Sequence, residues 1–301
     1  MHSTRKPIVA LALGSGSARG WAHLGVIKAL EQAGIRPDIV CGTSIGALVA
    51  AAYASGDIDR FEAWTRQLKM RDVLSLMDIH LNGGMLKGDR LMSFFEQYFK
   101  DRPIDALDMP FAAVATDLHT GQEVWLREGS ITAAVRASIA LPGLFSPVWN
   151  DGRLLADGGL VNPVPVSLAR AMGADIVVAV DLNSDILGRH LGVPDRQKVA
   201  SSVGSAWRQH VPEALANWLP ATTDVDARMP SLIDIVSSSI NIMQVRITRS
   251  RMAGDPADAI VAPALASLGL LDFHKAELAI EAGALAVEEA LPALRRLKIG
   301  S

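Results

Sequence analysis

The alternation of short apolar runs with helical stretches constrains the fold of this 301-residue chain more than any other feature. Residues 8–13 and 38–41 consist mainly of apolar side chains, and residues 21–33 between them carry their apolar residues on one helical face. Strands that are apolar throughout and are separated by helices are typical of a parallel sheet covered on both faces. We therefore predict an α/β protein with three layers, α/β/α, around a mainly parallel central sheet.

The rest of the chain extends this pattern with two predicted hairpins, a further buried strand and two long helices near the C-terminus. The hairpins span residues 111–118 with 122–126 and residues 144–149 with 153–156, the strand spans 175–181, and the helices span 232–247 and 272–291. Residues 182–230 lose the helical period and are rich in Pro, Gly, Ser and Thr, which predicts an irregular cap region.

Composition excludes several classes of protein. Half of the residues are hydrophobic, 20% are charged and the formal net charge is −3, so we expect a large core and no nucleic-acid partner. Cys41 is the only cysteine, which excludes an internal disulfide and is typical of a reducing compartment, so we predict a cytoplasmic location. The sequence has no HExxH, CxxC or EF-hand spacing, and we expect neither a metal nor a cofactor.

The longest uncharged stretch, residues 39–56, has 18 residues and reaches the lower limit for a membrane-spanning helix. Glycine and hydroxyl-bearing residues interrupt the first half of this stretch. It is therefore predicted to be a short strand, a tight turn and a buried helix, and we expect no spanning segment.

The sharpest motif is Gly42-Thr43-Ser44-Ile45-Gly46, a GxSxG between a predicted strand and a predicted helix. A tight strand-to-helix turn lifts the serine hydroxyl clear of the backbone, and the flanking glycines leave room for a substrate. Ser44 also lies at a helix N-terminus, where free N–H groups stabilise developing negative charge. Ser44 is therefore the candidate nucleophile.

A glycine-rich loop, residues 14–20 with the sequence GSGSARG, lies one βαβ unit upstream. Arg19 occupies the position at which a dinucleotide-binding GxGxxG needs its third glycine, so the loop is a poor nucleotide site. The backbone N–H groups of Ser15, Gly16 and Ser17 are suited to form an oxyanion hole at the sheet edge that carries Ser44. Arg19 is expected to hold the loop, to face an anionic head group or to form a surface salt bridge.

A serine hydroxyl needs a base to take its proton. The order Ser, acid, His of α/β-hydrolases leaves three downstream histidines as candidate bases: His190, His210 and His274. None of the three follows a predicted strand or lies in a glycine-rich loop. Asp157 does follow a predicted strand, and Gly158 and Gly159 let its carboxylate approach another loop closely. The residues alone leave open a Ser–His–Asp triad and an aspartate base.

The segments GSGSARG, GTSIG and DGG, in this order and at these spacings, resemble the patatin-like phospholipase family, in particular its small bacterial members related to neuropathy target esterase. The flanking segments LALGSGSARGWAHLGVIKALEQAGI and LLADGGLVNPVPV are similar to the family as well. The resemblance implies a serine lipid acyl hydrolase, of the phospholipase, lysophospholipase or esterase kind, that forms an acyl-enzyme through a Ser–Asp dyad. It implies a catalytic core over residues 7–181, and residues 182–301 are predicted to be an extension within the same domain.

The resemblance also assigns roles to individual residues. It makes Ser44 the nucleophile, Asp157 the base, and residues 15–17 with Arg19 the oxyanion loop. The glycines that support these motifs are Gly14, Gly20, Gly42, Gly46, Gly158 and Gly159. Ser15 and Ser17 depart from the family's more glycine-rich loop, and a positive φ at either serine costs more than at glycine, which bears on rate and substrate range.

The expected partner is a lipid or another acyl ester. Five apolar residues fall on one face of the helix predicted from residue 232, and three arginines lie at its end. The apolar residues are Leu232, Val236, Ile240, Met243 and Ile247, and the arginines are Arg246, Arg249 and Arg251. Such a stripe is typical either of peripheral contact with the inner face of a membrane or of packing against protein, which the pattern favours. A non-catalytic lipid-binding or regulatory protein with the same fold is the remaining alternative.

Overall fold

The computed structural model describes residues 5–69, 71–72, 101–142, 144–186 and 232–299. Its strands are β1 (Val9–Leu13), β2 (Ile39–Thr43), β3 (Phe111–Asp117), β4 (Glu123–Leu126), β5 (Val148–Asn150), β6 (Arg153–Asp157), β7 (Ile176–Val180) and β8 (Ala259–Val261). Its helices are α1 (Ala22–Gln32), α2 (Ile45–Ala54), α3 (Ile58–Thr65), α4 (Ile131–Ser138), α5 (Val166–Ala171), α6 (Leu232–Gly254) and α7 (Ala276–Arg296). Short 3₁₀ helices cover Ser17–Trp21, Ile104–Ala106 and Gly158–Leu160.

Within the described residues, the strands form one sheet in the order β5-β6-β3-β2-β1-β7-β8, with β4 paired to β3 off this path. The four pairs from β3 through β2, β1 and β7 to β8 are parallel, whereas β4, β5 and β6 make antiparallel pairs. Every residue of β1 is buried, because helices cover both faces of the sheet at this strand. The predicted three-layer α/β fold with a mainly parallel sheet is confirmed.

Strand β3 has three partners, and two of them share one of its edges. Ala113 and Val114 pair with both β2 and β4, so β2 and β4 lie on opposite edges of β3. Ala115 and Thr116 pair with both β4 and β6, so β6 also lies opposite β4. Because β2 runs parallel to β3 and β6 antiparallel, these two strands meet on one edge with their carboxyl ends facing each other.

The two faces of the sheet bury separate clusters. One cluster joins the sheet to α1, α2, α4 and α7, and the other joins it to α5. Helix α7 lies directly on α1, because a Cβ atom at Gly25 would overlap the carbonyl of Ile280 and one at Gly283 would overlap the carbonyl of Ala22. The C-terminal part thus contributes both a strand and a helix to the packing around the sheet.

Several elements differ from the prediction. Helix α6 continues to Gly254, α7 begins at Ala276, and β8 was not predicted because three residues carry no detectable period. Most of the predicted cap, residues 187–230, lies outside the described residues, and the division into a core and an extension stays a prediction. The helices in the described ranges include none that is long and apolar enough to cross a membrane.

Candidate active site

Ser44 lies on a strained turn between β2 and α2. Its backbone has φ of 57° and ψ of −126°, which a non-glycine residue rarely adopts. A Cβ atom at Gly42 would overlap the backbone of Gly46, and one at Gly46 would overlap the carbonyl of Leu13, so only glycine fits at either position. The Ser44 N–H donates to Ser138 Oγ at 2.9 Å. The turn is therefore held by close packing on both sides and by a side chain from α4.

The Ser44 hydroxyl contacts Asp157 because of the register on β3. Thr43, at the end of β2, pairs with Val114, and Asp157, at the end of β6, pairs with Ala115. The two strand ends therefore stop at neighbouring positions on one edge of β3. Ser44 Oγ donates a hydrogen bond to Asp157 Oδ2 at 2.5 Å. The structure thus brings together the two residues that the motifs single out, although 113 positions separate them in the chain.

Asp157 is fully buried, with 0% of its surface exposed. Its Oδ1 atom accepts a hydrogen bond from the Gly159 N–H at 2.7 Å, and a Cβ atom at Gly158 would overlap the Val114 carbonyl. Burial raises the pKa of Asp157 to about 7, while the hydrogen bonds from Ser44 and Gly159 act in the opposite direction. A carboxyl group with a pKa near neutrality is suited both to accept and to return a proton.

The glycine-rich loop follows β1 and borders the same site. The Ser15 N–H donates to the Pro163 carbonyl at 2.8 Å, so this N–H, predicted as an oxyanion donor, already has a partner. Gly16 and Ser17 line the pocket beside Ser44. Ser17 has φ of 53°, the conformation anticipated as costly for serine, and its hydroxyl donates to the Leu270 carbonyl at 2.7 Å. The N–H groups of Gly16 and Ser17 are thus the candidate oxyanion donors.

Arg19 points away from the pocket into the protein. Its side chain is buried, with Nε donating to the Leu268 carbonyl at 2.9 Å and one terminal nitrogen within 3.4 Å of Asn183 Oδ1 and 3.3 Å of Asn241 Oδ1. Burial lowers the pKa of Arg19 to about 10. Of the three expectations for Arg19, this geometry fits the one in which it holds the loop. At Gly20, a Cβ atom would overlap Ile45, so the loop also needs this glycine to pack against α2.

The described histidines do not contact Ser44. His23 is fully buried, and its Nε2 lies 2.8 Å from the Gly14 carbonyl. Burial lowers its pKa to about 4, so the ring is neutral and its contact is with the glycine-rich loop. His274 precedes α7 and is not among the residues that line the pocket. His190 and His210 lie outside the described residues. Within the described part of the chain, the Ser44 hydroxyl has Asp157 as its partner.

Ser44 and Asp157 open into a pocket with apolar walls. Leu48, Trp64, Phe145 and Phe273 are among the side chains that form these walls. Such a lining is suited to an acyl chain, because it offers apolar contacts and few groups that hold water. The described residues include no cluster of three His, Cys, Asp or Glu side chains that could hold a metal ion.

Gln244 also lines the pocket, and the sequence motifs gave no indication of it. It lies on α6, whose buried side is polar and comprises Asn241, Gln244 and Thr248 around Val245. Uncharged polar residues at positions i, i+3 and i+7 share one helical face, and this spacing is the signal that could have singled out the face.

The predicted apolar stripe on α6 does not form one exposed face. Ile240 lines the pocket, whereas Met243 is exposed together with Ile235 and Ile242. Arg251 donates from Nε to the Val161 carbonyl at 2.7 Å and pairs with Glu123 at 2.6 Å, so it is bound to protein. The polar side of α6 faces the Asp157 loop, and whether the remaining apolar residues dock on a membrane or on protein stays a prediction. The side chains of Leu232 and Val236 lie outside the described set.

A serine on a strained strand-to-helix turn is the nucleophile arrangement of α/β serine hydrolases, and within the described residues of this structure its hydroxyl contacts a buried carboxylate instead of a histidine. The family model described as Patatin-like phospholipase matches residues 11–170, and the chain belongs to this family. The predicted resemblance is confirmed, and family membership supports a lipid acyl hydrolase with a lipid substrate.

Two relatives show the extent of this similarity, and one solved structure is a weaker match. The chain is 33% identical over 338 aligned residues to an uncharacterized NTE family protein of Mycobacterium tuberculosis, covering 97% of this chain and 94% of that protein. It is 38% identical over 185 residues to patatin-like phospholipase domain-containing protein 6 of Homo sapiens, covering 58% of this chain and 13% of that protein. VipD from Legionella pneumophila is similar with 16% identity and a TM-score of 0.45, covering 96% of this chain and 67% of that chain.

Proposed function

We propose that this protein is a carboxylic ester hydrolase that cleaves lipid acyl esters through a Ser44–Asp157 dyad and an acyl-enzyme. The observation that carries the proposal is the 2.5 Å hydrogen bond from Ser44 Oγ to the fully buried Asp157. A base must lie within hydrogen-bond reach of the proton that it removes, and this carboxylate does.

In the first half of the reaction, Ser44 Oγ attacks the acyl carbon and its proton passes to Asp157 Oδ2. The N–H groups of Gly16 and Ser17 then stabilise the negative charge that develops on the carbonyl oxygen. When the bond to the alcohol breaks, Asp157 returns the proton to the departing alcohol oxygen. The acyl group remains on Ser44 as an ester.

In the second half, Asp157 takes a proton from a water molecule while the water oxygen attacks the acyl carbon. The acid leaves, and the proton on Asp157 returns to Ser44 Oγ, which restores the starting state. The near-neutral pKa of Asp157 supports both directions of this transfer, because neither protonation state is strongly disfavoured at pH 7.

Labelling with a fluorophosphonate probe and turnover of a short p-nitrophenyl ester test the dyad together. We expect an adduct on Ser44 in the wild-type protein, and a loss of at least about 10³-fold in turnover in Ser44→Ala and Asp157→Asn. Full activity in Asp157→Asn would overturn the dyad.

The histidine variants His190→Ala, His210→Ala and His274→Ala are the controls, and we expect all three to keep wild-type activity. Loss of activity in one of them would favour a Ser–His–Asp triad. A folded wild-type protein that neither labels nor turns over phospholipid and simple esters would favour a non-catalytic lipid-binding protein.

We extend the proposal to a peripheral contact between α6 and an anionic lipid bilayer. Ile242 and Met243 are exposed by 46% and 44% and adjoin Gln244, which lines the pocket. Arg246 and Arg249 are exposed on the next turns, so the helix offers a positive charge beside its apolar side chains. This combination supports docking at an anionic surface, and a cytoplasmic location at the inner face of the membrane belongs to the same proposal.

A further inference from the structure

Gln244 presents a hydrogen-bond donor to the pocket. The residue is 5% exposed and lines the pocket together with Ser44 and Asp157. It belongs to α6, outside residues 11–170 that the family model matches. The Ser–Asp mechanism proposed above does not involve this side chain.

The orientation of the Gln244 amide is fixed from the side of the oxyanion loop. Asn183 Nδ2 donates to Gln244 Oε1 at 3.3 Å and to the Ser15 carbonyl at 3.0 Å. Asn183 is itself buried and lies within 3.4 Å of the Arg19 guanidinium. Because the amide oxygen is engaged in this way, the amide nitrogen points to the opposite side.

The amide nitrogen of Gln244 faces the turn that follows Asp157. A Cβ atom at Gly159 would lie 2.5 Å from Gln244 Nε2 and 3.0 Å from Asp157 Oδ1, so the amide nitrogen and the carboxylate oxygen both lie beside this glycine, near each other. Within the described part of the chain, Nε2 has no acceptor. Gln244 Nε2 does not belong to the buried side-chain atoms that lack a partner in the described part of the chain, so it is open to the pocket. An ester oxygen that enters the pocket can therefore replace water as its acceptor.

We propose that Gln244 Nε2 donates a hydrogen bond to an oxygen on the alcohol half of the ester, and that it thereby selects glycerol-type esters over simple alkyl esters. The inference rests on the proposed function. Asp157 returns the proton to the departing alcohol oxygen, so the alcohol half lies on the Asp157 side of Ser44, where the amide nitrogen is. The acyl half then lies among the apolar walls.

Two esters that share an acyl chain and a three-carbon alcohol test this inference: 1-octanoylglycerol and propyl octanoate in the same detergent micelles. We expect wild-type kcat/KM to be at least about tenfold higher for the glycerol ester, because a site built to donate to an oxygen discriminates against a substrate that lacks it. Gln244→Met keeps the length of the side chain without the N–H groups. We expect it to remove this preference by lowering kcat/KM for the glycerol ester alone.

Thr248→Val is the matched control, since Thr248 lies one turn further on the same buried side of α6 and does not line the pocket. We expect this variant to keep the wild-type preference. Equal loss on both esters in Gln244→Met would assign the residue a structural role and overturn the inference.

Equal wild-type kcat/KM values for the two esters would also overturn the inference, and this comparison does not depend on the folding of any variant. Fluorophosphonate labelling of Ser44 in each protein separates this inference from the proposed function. If the wild-type protein labels and hydrolyses both esters without preference, only the role of Gln244 fails. If it neither labels nor hydrolyses, the dyad fails with it.

Discussion

The hydroxyl of Ser138 accepts a hydrogen bond from the N–H of Ser44 at 2.9 Å. The same hydroxyl donates to the Val114 carbonyl at 2.6 Å, and Ser138 is fully buried. It therefore joins the strained turn to the middle of β3, at the position where β2 ends.

Ser138→Ala would leave the Ser44 N–H and the Val114 carbonyl without this partner. We expect a loss of about 1–3 kcal/mol in the free energy of unfolding, and a fall in kcat of about tenfold because the turn relaxes. Urea unfolding and ester turnover measure the two effects. Ser130→Ala is the control, since Ser130 caps the other end of α4 through Ala133. It should cost about 1 kcal/mol in stability and leave kcat unchanged; unchanged kcat in Ser138→Ala would contradict the role of this contact.

The activity should depend on the ionisation of Asp157. Its pKa of about 7 means that the carboxylate form needed to accept the Ser44 proton is gained as the pH rises through neutrality. We therefore expect kcat/KM for a soluble ester to rise with pH and to reach half its maximum near pH 7. The same profile in the three histidine variants would assign it to Asp157, whereas a flat wild-type profile from pH 5.5 to about 8.5 would contradict this pKa.

The raised pKa of Asp157 also predicts a contribution to stability that depends on pH. An unfolded aspartate has a pKa near 3.9, so between about pH 4 and pH 7 the folded chain binds more protons than the unfolded chain. This contribution is complete below about pH 4 and is lost as the pH rises through about 7. Relative to Asp157→Asn, the wild-type free energy of unfolding should therefore fall with rising pH, by at most about 4 kcal/mol.

Urea unfolding of both proteins at several pH values across this window measures the difference. Asp117→Asn is a control of the opposite sign, because backbone hydrogen bonds, that from His119 above all, lower the pKa of Asp117. Its stabilising contribution is lost only as the pH falls into the acid range. A wild-type advantage over Asp157→Asn that grows between pH 5 and pH 8 would mean that the buried carboxyl is not destabilised by ionisation.

The exposed apolar side chains of α6 predict binding to anionic vesicles. We expect the wild-type protein to float with such vesicles, and Ile242→Asp/Met243→Asp to bind at least about tenfold more weakly, because two apolar side chains no longer leave water. Leu285→Asp is the control, since Leu285 is 55% exposed but lies on α7. Added salt should weaken wild-type binding if Arg246 and Arg249 take part. Equal flotation of the double variant and the control would exclude α6 as the contact.

The sequence predicted those parts of the fold and the site that have a local pattern. The strand before Ser44, the helix after it and the strand before Asp157 carry apolar periods and glycine signals, and the structure has them at these places. Ser138 and Gln244 have no such signal, because each reaches the site from an element distant in the chain. The sequence also could not predict that the Ser15 N–H bonds to Pro163, because the two residues come together only in the folded sheet.

Because β2 and β6 pair with the same edge of β3, the middle of β3 cannot accept an inserted residue without separating Ser44 from Asp157. An extra residue between Val114 and Ala115 would move the ends of β2 and β6 apart by about 3.4 Å and would turn one of the two strands over relative to the other. The turns at residues 118–122 and 151–152 lie outside this region, so insertions there would lengthen the hairpins and leave the contact between Ser44 and Asp157 intact. Length variation in descendants of this chain should therefore collect in the hairpin turns and be absent from the middle of β3.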